Sequence, residues 1–377
     1  VKQAKPTSKT FAGLKLPRIQ VLRFIAAMTV VLFHSLGTGS KYFAGSSRLD
    51  VFRFGDLGVD MFFVISGFII FLTVSSREGT WWLFLRRRLG RIVPMYWLMT
   101  LVMAAMLLVP GPSRTPPPDL VYLVESLLYV AWIGDRMPVV YPGWSLEFEM
   151  FYYLMVTAAL ALSPKRWMYV VVAMAALSAL GAVAQIAGIH GTAISFFSDP
   201  MQLEFAFGIV AAQFILQRKL MVGPLLAIAA SLALLTIDSS SERLWRIYAA
   251  GLPSVALVAW CASADMRAPL QDAANNWLVK LGDASYSIYL THVFVISIMG
   301  KILQKLWGTM PVDLAILIMA LVTLAAAYAM HLIVERPIMR WMKQRGSGQK
   351  EKRTRIPLGE ATDGTSGESQ AEVLPGA

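Results

Sequence analysis

The sequence predicts an all-α, polytopic integral membrane protein, and three observations predict it. Of its 377 residues 56% are hydrophobic and only 15% charged. Its mean hydropathy is +0.58. Apolar runs long enough to cross a bilayer recur from end to end, and a hydrocarbon core of about 30 Å takes about 20 such residues per helix. A soluble domain of this size does not carry that pattern. The single cysteine, Cys261, excludes an internal disulfide and a Cys-cluster metal site, so no metal is expected. The net charge of +11 needs no nucleic acid, because membrane proteins gather Lys and Arg on cytoplasmic loops.

Ten spans follow in order: 19–38, 56–75, 91–110, 143–162, 167–188, 200–216, 221–237, 246–263, 284–303 and 312–334. Residues 1–18 form a basic N-terminus without a short apolar core and cleavage site, so the first span is expected to be an uncleaved anchor. The transmembrane domain then covers 19–336, and the Gly-, Ser-, Glu- and Lys-rich stretch 346–377 is expected to be a disordered cytoplasmic tail. One apolar stretch, 120–134, is fifteen residues long and follows the Pro-rich loop 110–118, which is short for a span. Charge bias decides its treatment. If it stays on one side, inside segments carry 24 Lys and Arg and outside segments nine, with both termini cytoplasmic. If it crosses, the basic tail falls outside. It is therefore expected to be re-entrant or interfacial.

The chemistry-bearing residues lie inside these spans. Arg23 and His34 stand eleven positions apart in the first span. Eleven helical steps rise about 16 Å and return within roughly 20°, so the two share a face at different depths. Alone, the arginine fits a snorkelling anchor and the histidine a helix–helix hydrogen bond; together on one face they suggest a functional path. Asp60 in the second span and Glu149 in the fourth fall about 6 and 9 Å below the outer edge, close to the level of His34. A carboxylate can fix an imidazole's tautomer, so this layer suits general acid–base work. Glu147 and Glu149 are two apart and cannot share a helix face, so one of them is expected at an interface. Glu204 is a further candidate for the layer. His292 and His331, nearer the middle and inner edge of their spans, read first as structural histidines, and His190 sits in an outer loop.

On the cytoplasmic side runs Arg86-Arg87-Arg88-Leu-Gly-Arg91. Topological anchoring accounts for Arg86 and Arg87. Arg88 and Arg91 are three apart, so at a helix start they face one way and suit a phosphate clamp. No Gly-rich phosphate loop occurs, which argues against a nucleoside triphosphate. A phosphate-bearing ligand with a long arm reaching toward His34 fits both ends.

These residues resemble the membrane-bound acyltransferase-3 family. The resemblance rests on Arg23 with ten residues before His34, Gly58-Val-Asp-Met-Phe-Phe-Val-Ile-Ser-Gly-Phe68, Arg88-x-x-Arg91, Trp144-Ser-Leu-Glu-Phe-Glu149 and Ser285-Tyr-Ser-Ile-Tyr-Leu-Thr-His292. Within the family the chain looks most like bacterial exopolysaccharide O-acetyltransferases of the succinoglycan type. The resemblance implies ten spans and transfer of an acyl group from cytoplasmic acyl-CoA, a co-substrate rather than a bound cofactor, to a sugar hydroxyl. It makes His34 and Arg23 the essential pair, Arg88 and Arg91 donor-side residues, and Glu149 the acid. Asp60 is the other carboxylate that would orient His34, and Ser66, Trp144, Ser145 and His292 are supporting candidates. The expected partners are acyl-CoA, a saccharide acceptor on an undecaprenyl or other carrier, lipid and other polysaccharide-assembly proteins, at the bacterial inner membrane. A different class remains open: a proton-coupled transporter or exporter using His34, Asp60 and Glu149 as a relay. A non-catalytic assembly subunit is a third.

Overall fold

The computed structural model describes residues 16–342 and 344, except 76–79, 110–115, 163–167, 218–221, 237–242, 269, 271 and 274–275. Most of the basic N-terminus and the tail 346–377 lie outside the described residues, as does part of the Pro-rich loop. No strand occurs among the described residues. The helices are α1 (Pro17–Tyr42), α2 (Gly58–Ser75), α3 (Trp81–Leu108), α4 (Leu120–Leu127), α5 (Gly143–Leu162), α6 (Met168–Ile186) and α7 (Thr192–Phe197). They continue with α8 (Leu203–Leu216), α9 (Pro224–Leu235), α10 (Arg243–Arg246), α11 (Leu252–Arg267), α12 (Trp277–Asp283), α13 (Ser285–Trp307) and α14 (Val312–Met330).

Eight of the described helical stretches are long and apolar enough to cross a membrane, among them the continuous run Arg48–Val74 that enters α2 through a 3₁₀ segment. The sequence predicts ten spans. The other two correspond to α8, of 14 residues, and α9, of 12. α8 is short because Pro200 opens a 3₁₀ turn ahead of it; α9 is capped by Gly223 and Thr236, and residues 218–221 and 237–242 beyond them lie outside the described residues. Proline opens α1 and α9 at first-turn positions, where its missing N–H costs nothing. Apolar side chains on the rim point outward, with Ile186 88% and Leu225 81% exposed. Such a surface is a liability in water and what lipid requires.

α1 occupies the centre and touches α2, α11, α12, α13 and α14. Gln20 lies against Gly282, just before α13, while Thr38 and Tyr42 lie against Gly300, so α1 and α13 run the same way. Asp265, at the end of α11, bonds Arg18 at the start of α1 through Oδ1 at 2.7 Å, so α11 runs the opposite way. α2 and α8 cross where Gly67 meets the Phe205 carbonyl and Gly208 meets the Val64 carbonyl, with no room for a Cβ at either glycine. The end of the bundle bearing the start of α1 is called the lower end below.

The stretch predicted to be re-entrant does not cross. α4 has eight residues, about 12 Å of helix, and its end is satisfied by side chains, as backbone removed from water requires. The Tyr96 hydroxyl donates to the Ser126 carbonyl at 3.0 Å and the Trp97 indole N–H to the Leu127 carbonyl at 2.8 Å. Glu147 accepts the Ala131 N–H at 2.7 Å, and the Ser126 hydroxyl accepts the Val139 N–H at 3.0 Å. Tyr129 and Asp135, at φ 61° and 51°, turn the chain back. α5 therefore begins with Gly143 against Tyr96, sixteen residues into α3 rather than at its far end.

Candidate functional site

Three arginines meet near the lower end. The sequence predicts a helix from residue 91, but α3 begins at Trp81, which lifts Arg88 and Arg91 out of a loop and into the bundle wall. The Arg88 guanidinium donates to Thr73 Oγ1 at 3.1 Å and lies over the rings of Phe84 and Tyr153, 5.6 and 5.8 Å from their centres. Arg23 donates to Gln20 Oε1 at 3.0 Å. Arg91 has no hydrogen-bond partner among the described residues. Electrostatically, Arg23 acts on Arg91, Glu335, Asp283 and Glu149, and Arg88 on Tyr153, Arg91, Glu149 and Tyr152. Arg91 thus lies within electrostatic reach of both Arg88 and Arg23.

Glu149 is the carboxylate common to this group. Its Oε1 accepts the Ser66 hydroxyl at 2.8 Å and the hydroxyl of Tyr153, one helical turn on. Both bonds fall on one oxygen, so Oε2 accepts none among the described residues. Arg23, His34, Ser66, Arg88, Arg91 and Glu149 are all half-buried, whereas Tyr153 is only 2% exposed. The six form a partly accessible group rather than part of the sealed core. At its foot Glu335 Oε2 accepts the Ser287 hydroxyl at 2.6 Å and meets His331 Nδ1 at 2.8 Å. A π-turn over His331–Glu335 sets that pair, a wide turn often found at functional sites.

Above this layer stands an imidazole pair. The His34 and His292 rings are 4.9 Å apart between centres, and Tyr141 approaches His34 edge-on at 6.0 Å. The Ser145 and Tyr289 hydroxyls share a hydrogen bond of 2.7 Å, and His292 Nδ1 bonds the Tyr289 carbonyl. Trp144 packs edge-on against Phe63 and Phe148, a packing role among the supporting candidates.

The single layer expected for His34, Asp60 and Glu149 is not formed. Arg246 takes both oxygens of Asp60, at 3.0 and 2.6 Å, and one of Asp56 at 2.7 Å. Glu204 completes that cluster beside Asp60. Asp60 is thus engaged by Arg246 of α10, beside Glu204 of α8, and not by His34. Ser66, which meets Glu149, lies six residues below Asp60, about 9 Å on a helix. Glu149 is lower than expected because the re-entrant stretch starts α5 halfway along α3. No hydrogen bond joins any two of His34, Asp60 and Glu149 among the described residues. Glu147 and Glu149 divide as the sequence requires: Glu147 pins the re-entrant backbone, and Glu149 faces the arginines.

Sequence reasoning missed Tyr153, although its i+4 spacing from Glu149 places it on the same face. It also missed Glu335, one residue past the last predicted span, and Arg246, counted there as an outside charge. The i+4 pairing of His331 with Glu335 was visible in the sequence. Nothing in the sequence links Arg246 to Asp60, 186 positions away.

A multi-pass helical bundle with partly accessible cationic, acidic and imidazole side chains inside its spans has the features of a membrane-embedded site for an anionic substrate. The chain belongs to the acyltransferase-3 family: residues 16–331 match its acyltransferase domain. It is 32% identical over 308 residues to the exopolysaccharide production protein ExoZ of Rhizobium meliloti strain 1021, covering 77% of this chain and 91% of that one. It is 27% identical over 369 residues to the acyltransferase MdmB of Streptomyces mycarofaciens, covering 88% and 94%. No solved structure matches.

Proposed function

We propose that this acyltransferase moves an acyl group, acetyl in the first instance, from acyl-CoA at the cytoplasmic face to a hydroxyl of a sugar in a bacterial exopolysaccharide or its lipid-linked precursor. The observation that carries the donor is the arginine group. Arg91 acts electrostatically on both Arg23 and Arg88, no carboxylate is hydrogen-bonded to any of the three, and Arg91 has no hydrogen-bond partner among the described residues. Guanidinium groups without a hydrogen-bonded carboxylate suit an anionic ligand, and the phosphates of CoA supply one. The pantetheine arm then runs up past Arg23, and His34 stands eleven residues above it, about 16 Å, within reach of such an arm. The exopolysaccharide acceptor follows from the likeness to ExoZ.

In this reading His34 removes the proton of the sugar hydroxyl as its oxygen attacks the thioester carbonyl. The C–S bond breaks, CoA leaves as thiolate and takes up a proton, and an ester remains on the sugar. Arg23 stabilises charge developing on the donor, and an acyl-histidine at His34 is the covalent variant. The deciding experiment supplies purified protein with radiolabelled acetyl-CoA and an undecaprenyl-linked oligosaccharide. Label on the sugar supports the proposal; passage of the saccharide without label makes the protein a carrier.

Two further results are expected. Arg88→Ala and Arg91→Ala should each weaken acetyl-CoA binding by about 1.5–3 kcal/mol, the worth of a charge-assisted contact, with insertion intact. Calorimetric titration in detergent checks this, and unchanged affinity in both reduces the two to topological anchors. For topology, we place both termini and the lower end in the cytoplasm of a bacterial inner-membrane protein. A periplasm-active reporter fused after Gly346 should be silent, and high activity would invert the orientation on which the donor assignment rests.

A further inference from the structure

The sequence marks His292 first as a structural histidine, and its surroundings assign it more. Its ring is fully buried, at 0% exposure. Nδ1 bonds the Tyr289 carbonyl, and a carbonyl only accepts, so Nδ1 carries the proton. In a neutral imidazole that leaves Nε2 as a bare acceptor. Nε2 is buried and has no hydrogen-bond partner, a costly state in a site shielded from water. No carboxylate is bonded to this ring that would favour a doubly protonated cation. The neighbouring polar ring is His34, 4.9 Å away between centres. Two imidazoles joined by one N–H···N bond have ring centres about 5 Å apart, so the observed separation suits that bond. His34 itself has no hydrogen bond to any described side chain, and its ring packs among those of Phe33, Tyr141 and His292.

We propose that His292 is the positioning residue for His34, through acceptance of the His34 ring N–H by His292 Nε2. The chain Tyr289 C=O···H–Nδ1 His292 Nε2···H–N His34 then leaves the far nitrogen of His34 unprotonated and directed away from His292. Only that tautomer of His34 takes a proton from a hydroxyl. A histidine held by a backbone carbonyl here does what a carboxylate does elsewhere, and it brings no buried negative charge. The Ser145–Tyr289 hydrogen bond steadies the turn of α13 that presents the carbonyl. Neither Asp60 nor Glu149 takes this part, since the first is held by Arg246 and the second is bonded by Ser66 and Tyr153.

The inference rests on the reading of His34 as the base in acyl transfer, and the test separates the two. Full-length protein in lipid nanodiscs is assayed with acetyl-CoA as wild type, His34→Ala, His292→Phe and His292→Gln. Gln places an amide oxygen near the position of Nε2 and keeps an acceptor there; Phe fills the space without one. Expected are a fall in kcat of about 100-fold for His292→Phe, the cost of a group misplaced by about an ångström, an unchanged KM for acetyl-CoA, and at least tenfold recovery in His292→Gln. If His292→Phe keeps kcat within threefold while His34→Ala is inactive, the positioning role is overturned and the base survives. Equal losses in Phe and Gln, or a loss confined to donor KM, likewise overturn it as mere packing. Activity in His34→Ala overturns both.

Discussion

Replacing His34 by alanine should lower acyl transfer by about 10²–10⁴-fold, the contribution of a general base, at normal protein levels and with donor binding retained. The separation of the two effects is the informative part. The arginines lie lower in the bundle than the imidazole pair, so removing the imidazole leaves Arg88, its Thr73 hydrogen bond and its stacking on Tyr153 untouched. A base that acts only as the hydroxyl attacks lowers kcat and kcat/KM together. Glu149→Gln provides the contrast. Its carboxylate shares the field of Arg23 and Arg88 and accepts from Ser66 and Tyr153, so its loss should shift donor KM as well as rate. Steady-state kinetics with acetyl-CoA checks both, and a short incubation with labelled donor and no acceptor distinguishes base from nucleophile. Label trapped on the wild type but absent from His34→Ala indicates an acyl-histidine. Transfer near the wild-type rate in His34→Ala would make the histidine structural.

The fold class was legible because hydropathy is a property of long segments and does not depend on which helix packs against which. The same holds for Arg88 and Arg91: three-residue spacing puts them on one face wherever the helix begins, so misplacing the start of α3 by ten residues did no harm. Depth was less legible. Counting 1.5 Å per residue from a membrane edge assumes that every span starts at that edge, and α5 starts at Tyr96, in the middle of α3. Glu149 slid down to the arginines for that reason. Asp60 was lost for another: its partner Arg246 comes from a distant segment through tertiary packing, and period and spacing report only on neighbours along one helix. His292 was recognised as part of a motif, yet the contact with His34 depends on α1 and α13 running side by side, which the sequence does not order.

The cluster that captured Asp60 predicts the largest effect on stability. Arg246 is 12% exposed in its side chain, and Asp60 is fully buried. The guanidinium serves Asp60 in bidentate fashion and Asp56 with a third bond, and Glu204 stands beside them with both oxygens buried and unpartnered. One cation thus holds three acidic groups in an apolar bundle. Arg246→Ala leaves them facing one another without a counter-charge, and breaking a buried pair from one side costs about 3–5 kcal/mol. The damage should spread to the α2–α8 crossing, where Gly67 and Gly208 leave no slack. A lower unfolding midpoint in detergent and poor yield are the expected readouts. Asp60→Asn placed on Arg246→Leu should recover part of the loss, because the charge stranded by the first change is gone. A double-mutant cycle measures that coupling. If Arg246→Ala unfolds at the wild-type midpoint, the cluster is not a structural clasp. Acyl transfer supplies the companion measurement: variants that remain folded should retain donor affinity, since no member of this cluster bonds Arg23, Arg88 or Arg91.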